Sequence, residues 1–133
     1  MNRIGLALFF VGASLTGTLN AHHSTQGIYQ DELSDLTGTV KMWRLINPHP
    51  HLVLEVKDEQ GVVQEWDVSY GGAAAVHLKR MGYATDTFAV GETINFKGHR
   101  ARAAGVNGLL VEGGGNIPTR ADGTPVVKGG SMF

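Results

Sequence analysis

The chain has 133 residues, with no Cys, 19 Gly and a formal net charge of -1. That length suits one domain with its own core, and 42% hydrophobic against 17% charged residues excludes a wholly disordered chain. Near-balanced charge gives no overall pull toward nucleic acid or anionic membrane. The absence of Cys excludes thiol catalysis, thiolate metal sites, disulfides and lipoprotein anchoring, so any metal must use His, carboxylate or backbone ligands.

Residues 1–21 read as a secretory signal peptide. Arg3 supplies the positive n-region, Ile4 to Leu15 the apolar run, and Leu19-Asn20-Ala21 the small-residue cleavage site. The run is shorter than the roughly 20 apolar residues that span a bilayer, although an uncleaved anchor or a buried helix fits the same composition. Cleavage after Ala21 removes one basic residue and no acid, leaving ten bases against twelve acids. The expectation is therefore a periplasmic or secreted protein that begins at His22, with no stable membrane insertion after cleavage.

The mature chain predicts five strands and one helix. Residues 22–35 lack a sustained period and are expected as an extended arm. Strand one is expected over Leu36–Leu45, rich in Thr and Val, and Asn47-Pro48-His49-Pro50 interrupts it because proline cannot donate to a ladder. His51–Lys57 alternates, with Leu52, Leu54 and Val56 on the inner side and His51, Val53 and Glu55 on the outer. Asp58-Glu59-Gln60-Gly61 reads as a hairpin turn. The next strand sets Gln64, Trp66, Val68 and Tyr70 against Glu65, Asp67 and Ser69. Ala73–Met81 favours helix, with Gly82 as its stop. Thr93–Arg102, with Ile94 and Phe96 inward, and Leu109–Glu112 complete the strands. The domain is expected to span residues 36–112, followed by a Gly-rich tail over 113–133 with a terminal hairpin near Asp122-Gly123. The fold class this order predicts is mainly β: a small OB-like Greek-key barrel of about five strands, with one helix between strands three and four. A meander with a packed helix gives the same order.

Chemistry is concentrated in the six histidines. A free N-terminal His22 can chelate one metal through its α-amine and imidazole Nδ1, and one further imidazole completes a three-nitrogen histidine brace. Nitrogen-rich sites of this kind favour copper. His49 and His51 are candidate partners, two positions apart in extended backbone, and His23 lies beside the terminus. The candidate metal ligands are thus His22, His23, His49 and His51, with an incidental solvated cluster as the alternative. His77 is expected as a half-buried packing residue, and His99 sits in a basic strand end with Lys97, Arg100 and Arg102 that suits a small anion or plain solvation. Ser24, Ser34, Ser69 and Ser131 lie in no nucleophile elbow, and Gly113-Gly114-Gly115 precedes no helix, so it is no phosphate loop. Glu65 and Asp67 share a face as a possible carboxylate pair. Binding of single-stranded nucleic acid is disfavoured by the acidic balance, with Trp43, Trp66 and Tyr70 read as packing.

Ala21-His22-His23-Ser24 after the signal, Leu36-Thr37-Gly38-Thr39-Val40, Ile46-Asn47-Pro48-His49, and Val90-Gly91-Glu92 leading to Phe96-Lys97-Gly98-His99-Arg100-Ala101 resemble the DUF6152 family of small exported bacterial proteins. The resemblance spans His22 to about Asp122. It departs at Leu45, where the family pattern places an aromatic residue. It implies export and a small β-barrel, and it supplies no reaction. The function expected is a binding protein that does not turn over its ligand, holding copper or another transition metal. A non-metal ligand- or protein-binding OB-like module is the alternative, and a histidine-brace copper oxidase the third reading.

Overall fold

The computed structural model describes residues 27–112 and 116–128. Its elements are β1 (Tyr29–Arg44), β2 (His51–Lys57), β3 (Val63–Ser69), α1 (Ala75–Arg80), β4 (Thr93–Ala101), β5 (Gly108–Leu110) and β6 (Thr119–Arg120). The strands run in the order β1-β2-β3-β5-β4, and β4 pairs back onto β1, which closes a five-stranded barrel. All pairings are antiparallel except β3 with β5. The closed ring, with its single helix between β3 and β4, is the OB-like barrel that the order of elements predicts, and closure rules out the open meander.

β1 makes closure possible by serving two partners. Leu33 to Thr39 pair with β4, and Thr39 to Arg44 pair with β2, with a bulge between Val40 and Met42. Such a bulge bends a strand and sharpens its twist. Gly38 sits where the strand changes partner, and a Cβ there would stand 3.0 Å from Leu54 Cβ and Val56 Cγ2. The strand also begins earlier than expected, at Tyr29 and not at Leu36. Residues 29–35 carry no alternating pattern because they are held by the β4 backbone and by ion pairs, Asp35 with Lys97 at 3.9 Å and Asp31 with Arg102 at 3.2 Å.

The alternating strands place their apolar sets as predicted. Leu52, Leu54, Val68, Ile94, Phe96 and Leu109 are buried in one cluster with Leu36 and Val40. α1 is shorter than the predicted Ala73–Met81, but its stripe holds: Ala75 and Leu78 join the core, followed by buried Met81 and Tyr83. Gly82, at φ +98°, ends the helix in the left-handed region that only glycine adopts freely. Asp58 organises the β2–β3 turn, its Oδ1 accepting from the backbone N–H groups of Gln60 and Val62.

The segment expected as a loose tail packs against the barrel from Asn116 onward. β6 pairs with β4, the chain turns at Asp122-Gly123, and Val126 and Val127 enter the core cluster. Arg120 anchors this segment through an ion pair with Glu92 and a 3.3 Å hydrogen bond to the Thr87 carbonyl. Among the described residues no helix is long and apolar enough to cross a membrane.

Candidate functional site

The outer face of the barrel carries a cleft of about 350 Å³ where the β1–β2 connection, the start of β1, β3 and the β4–β5 loop meet. Pairing dictates its shape. Tyr29 pairs with Ala101, Asp67 pairs with Gly108, and a Cβ built on Gly108 would meet the Ala101 Cβ at 3.3 Å. One row around the barrel therefore reads Tyr29, Ala101, Gly108, Asp67. The two small residues in its middle leave a depression between an aromatic wall and a carboxylate. His51 heads β2 on the far wall, and the pairing of Leu52 with Val68 sets it opposite Ser69. Val106 and Asn107 close the loop side.

The start of the chain's described part is fixed at the same place. Ile28 lines the cleft and its carbonyl accepts a 2.8 Å hydrogen bond from the Arg102 N–H, while the Tyr29 carbonyl accepts from the Arg102 guanidinium at 2.9 and 3.1 Å. The β3 side is fixed by the Asp67 N–H, which donates to the Asn107 carbonyl at 3.0 Å.

The predicted ligands are distributed unequally. His22 and His23 lie outside the described residues. His51 lines the cleft. His49 is exposed in the connection before β2, after a cis Asn47-Pro48 bond, and is not on the cleft wall. Among the described residues no three His, Asp or Glu side chains converge as a metal site would require. The barrel wall alone thus offers the pair His51 and Asp67, and neither side chain has a hydrogen bond or an ion pair within that set.

Other candidates resolve differently. Glu65 and Asp67 do share a face, but Glu65 pairs with Lys41 and Asp67 stands alone in the cleft. Ser69, opposite His51, accepts a 3.1 Å hydrogen bond from the Gly71 N–H. No hydrogen bond links it to His51, so Ser69, His51 and Asp67 share a face without the base-to-nucleophile contact of a hydrolase. His77 is exposed on α1, contrary to the half-buried packing expected, because it falls between the buried positions Ala75 and Leu78 on the solvent side of a short helix. His99 is half-buried between Leu33 and Leu110, its Nδ1 covered and without a partner. At the basic strand end Lys97 and Arg102 pair with Asp35 and Asp31, while Arg100 lies 5.2 Å over the Trp66 ring and keeps its charge.

Tyr29, Ile28, Asn107 and the small pair Ala101 and Gly108 are cleft residues that sequence reasoning missed. Their signal is topological, since four strands separated in sequence become neighbours only when the barrel closes.

A family model described as a family of unknown function, DUF6152, matches residues 11–110. The chain belongs to that family. No curated protein and no solved structure matches it.

Proposed function

We propose that this DUF6152 protein is exported, processed after Ala21, and serves as a small binding protein that holds copper, with the new terminus at His22 and the imidazole of His51 as its principal ligands. The observation that carries the reading is that Ile28 and His51 line one cleft. His22 lies six residues before Ile28, an extended reach of roughly 20 Å. The path from β1 around to β2 through β4, β5 and β3 is four strand spacings, roughly 19 Å, and the chord across the cleft is shorter. The terminus therefore has the length to bring its α-amine and imidazole to His51. His23 is the adjacent donor, and His49, outside the cleft wall, is the weaker partner.

The chemistry of such a donor set is nitrogen-rich and suits Cu(II) on both ligand type and the order of divalent affinities. The test is a Cu(II) titration, read by EPR, on protein exported and processed by a bacterial host, its terminus confirmed by mass. The expected result is one nitrogen-ligated copper per chain. Binding should weaken at least tenfold in His51→Ala and be lost when one extra residue precedes His22 and masks the α-amine. Weak binding at several sites, indifferent to both changes, would refute the reading. It would favour the cleft as a site for a small non-metal ligand, which its Pro50, Tyr29 and Val106 walls also suit.

A further inference from the structure

We propose that the end of the barrel beside the β2–β3 turn binds a small organic monocarboxylate, with the Arg100 guanidinium as its anchor and the Trp66 ring as its apolar wall. This cavity, of about 260 Å³, shares no lining residue with the cleft of His51, so it stands apart from the copper site proposed above. Strand alternation builds it. Ile94, Phe96 and Gly98 of β4 are buried on the inner side, and Arg100 continues that set at the strand's end. On β3 the inner set is Val68, Trp66 and Gln64, paired with Leu52, Leu54 and Val56 of β2. A cation thus ends an otherwise apolar inward row, half-buried, with its Cζ 5.2 Å from the Trp66 ring centroid.

The hydrogen-bonding groups of the cavity are left with donors to spare. Lys41, Lys97, Arg102 and Arg120 each meet a carboxylate, and Arg100 meets none among the described residues. Its guanidinium has five N–H donors, of which one donates to the Asp35 carbonyl at 3.3 Å. The Trp43 indole N–H donates to the Ala84 carbonyl, whereas that of Trp66 has no acceptor among the described residues. The acceptors are already taken. Asp58 accepts from the Gln60 and Val62 N–H groups and from the Gln64 amide, and the Gln64 carbonyl oxygen accepts from the Asn107 amide. Free donors over a floor of Leu36, Val56 and Trp66 fit a carboxylate with a short apolar body. The planar guanidinium fork matches that carboxylate bidentately. At the rim Asp58 and Glu59 outnumber Lys57 and oppose a second negative charge, which favours a monoanion.

The experiment titrates benzoate, hexanoate and the neutral benzamide into the full chain and follows its two Trp indole N–H signals by NMR. Benzoate or hexanoate should shift the Trp66 signal saturably and leave that of Trp43 in place, and benzamide should shift neither. Arg100→Gln should weaken binding at least tenfold. Arg100→Lys, which keeps the charge and loses the fork, should weaken it severalfold. Lys97→Gln, three residues away on the outer face and paired with Asp35, should leave affinity unchanged. Urea unfolding checks that each variant is folded; if Arg100→Gln is not, Arg100→Lys decides, and wild-type affinity there overturns the proposal. It is equally overturned if neither carboxylate shifts Trp66, if benzamide binds as tightly as benzoate, or if Lys97→Gln loses as much affinity as Arg100→Gln.

Discussion

Gly98 is the position where β4 and β5 come closest, and it gives the sharpest test of the barrel. A Cβ there would lie 2.4 Å from the Leu110 carbonyl oxygen and 3.0 Å from the Leu109 Cγ. Ordinary contact for those atoms begins near 3.4 Å, so Gly98→Ala requires β5 to retreat by about 1 Å. β5 has only three residues, among them the fully buried Leu109, and it is followed directly by Val111, whose N–H donates to the Ser69 carbonyl. The retreat would loosen the core around Leu109 and the β3–β5 closure together. Overpacking of a tight interior costs about 1–3 kcal/mol, and contact with an immovable backbone atom puts this case at the upper end, about 3 kcal/mol. That is a large share of the roughly 5–15 kcal/mol that holds a domain together. In urea unfolding the midpoint should fall by roughly 1–2 M with the slope unchanged. Two neighbouring substitutions grade the effect. Gly38→Ala meets only side-chain carbons, at 3.0 Å, and should cost about 1 kcal/mol. Gly72→Ala meets nothing within 4 Å and should be neutral or slightly stabilising. A Gly98→Ala protein within ~0.5 kcal/mol of wild type, inside the ordinary range for surface changes, would refute the close approach and the register that produces it.

The remaining predictions concern the aromatic core and the terminal hairpin. The Tyr70 hydroxyl is buried without completing a hydrogen bond, although the Tyr83 phenol is close enough to influence it, and burial holds both phenols above their ordinary pKa. Removing an unsatisfied hydroxyl in Tyr70→Phe should add about 1 kcal/mol and raise the melting temperature by roughly 4–8 °C; a loss of similar size would mean that the hydroxyl is bonded. Because the folded pKa values lie above the unfolded value of about 10, their contribution to stability is complete below that pH and is lost as pH rises beyond it. Melting measured from pH 8 to 11 should fall steeply above 10 in the wild type and less steeply in Tyr70→Phe. Arg120→Met strands the half-buried Glu92 carboxylate and releases the Thr87 carbonyl, at a cost of about 1–2 kcal/mol. Limited proteolysis should then cut first within residues 116–128, and unchanged resistance would count against the anchoring role of this pair.

How much was legible follows from where the information resides. β2 was readable because one of its faces is buried, so Leu52, Leu54 and Val56 mark an inner side with period two. The helix stop at Gly82 and the turn at Asp58 were readable because single residues determine them locally. The first half of β1 was not, since Tyr29 to Asp35 pair by backbone and by charge and have no apolar rhythm. The packed terminal hairpin was hidden by its surroundings: Val126 and Val127 follow a glycine-rich stretch whose composition reads as linker. The same limit applies to the candidate site. The outward placing of His51 is legible because it belongs to a regular strand, whereas Asp67 and Glu65 are equivalent in sequence and differ in the fold, where Lys41 engages Glu65.

The way the ring is fastened also governs how it forms. β1 meets β4 about 60 residues further along the chain, and β3 meets β5 about 40 residues away. The β1-β2-β3 meander and the β4–β5 hairpin are local. Each closure must meet its loop entropy before its contacts repay it, which sets this small domain among slow folders dominated by non-local pairing. The cleft has walls on both sides of the β3–β5 seam, so it does not exist on the meander and comes into being only when that seam closes. A ligand that touches walls on both sides of this seam recognises the closed barrel, and the part of its binding free energy that comes from those walls is added to the native state alone.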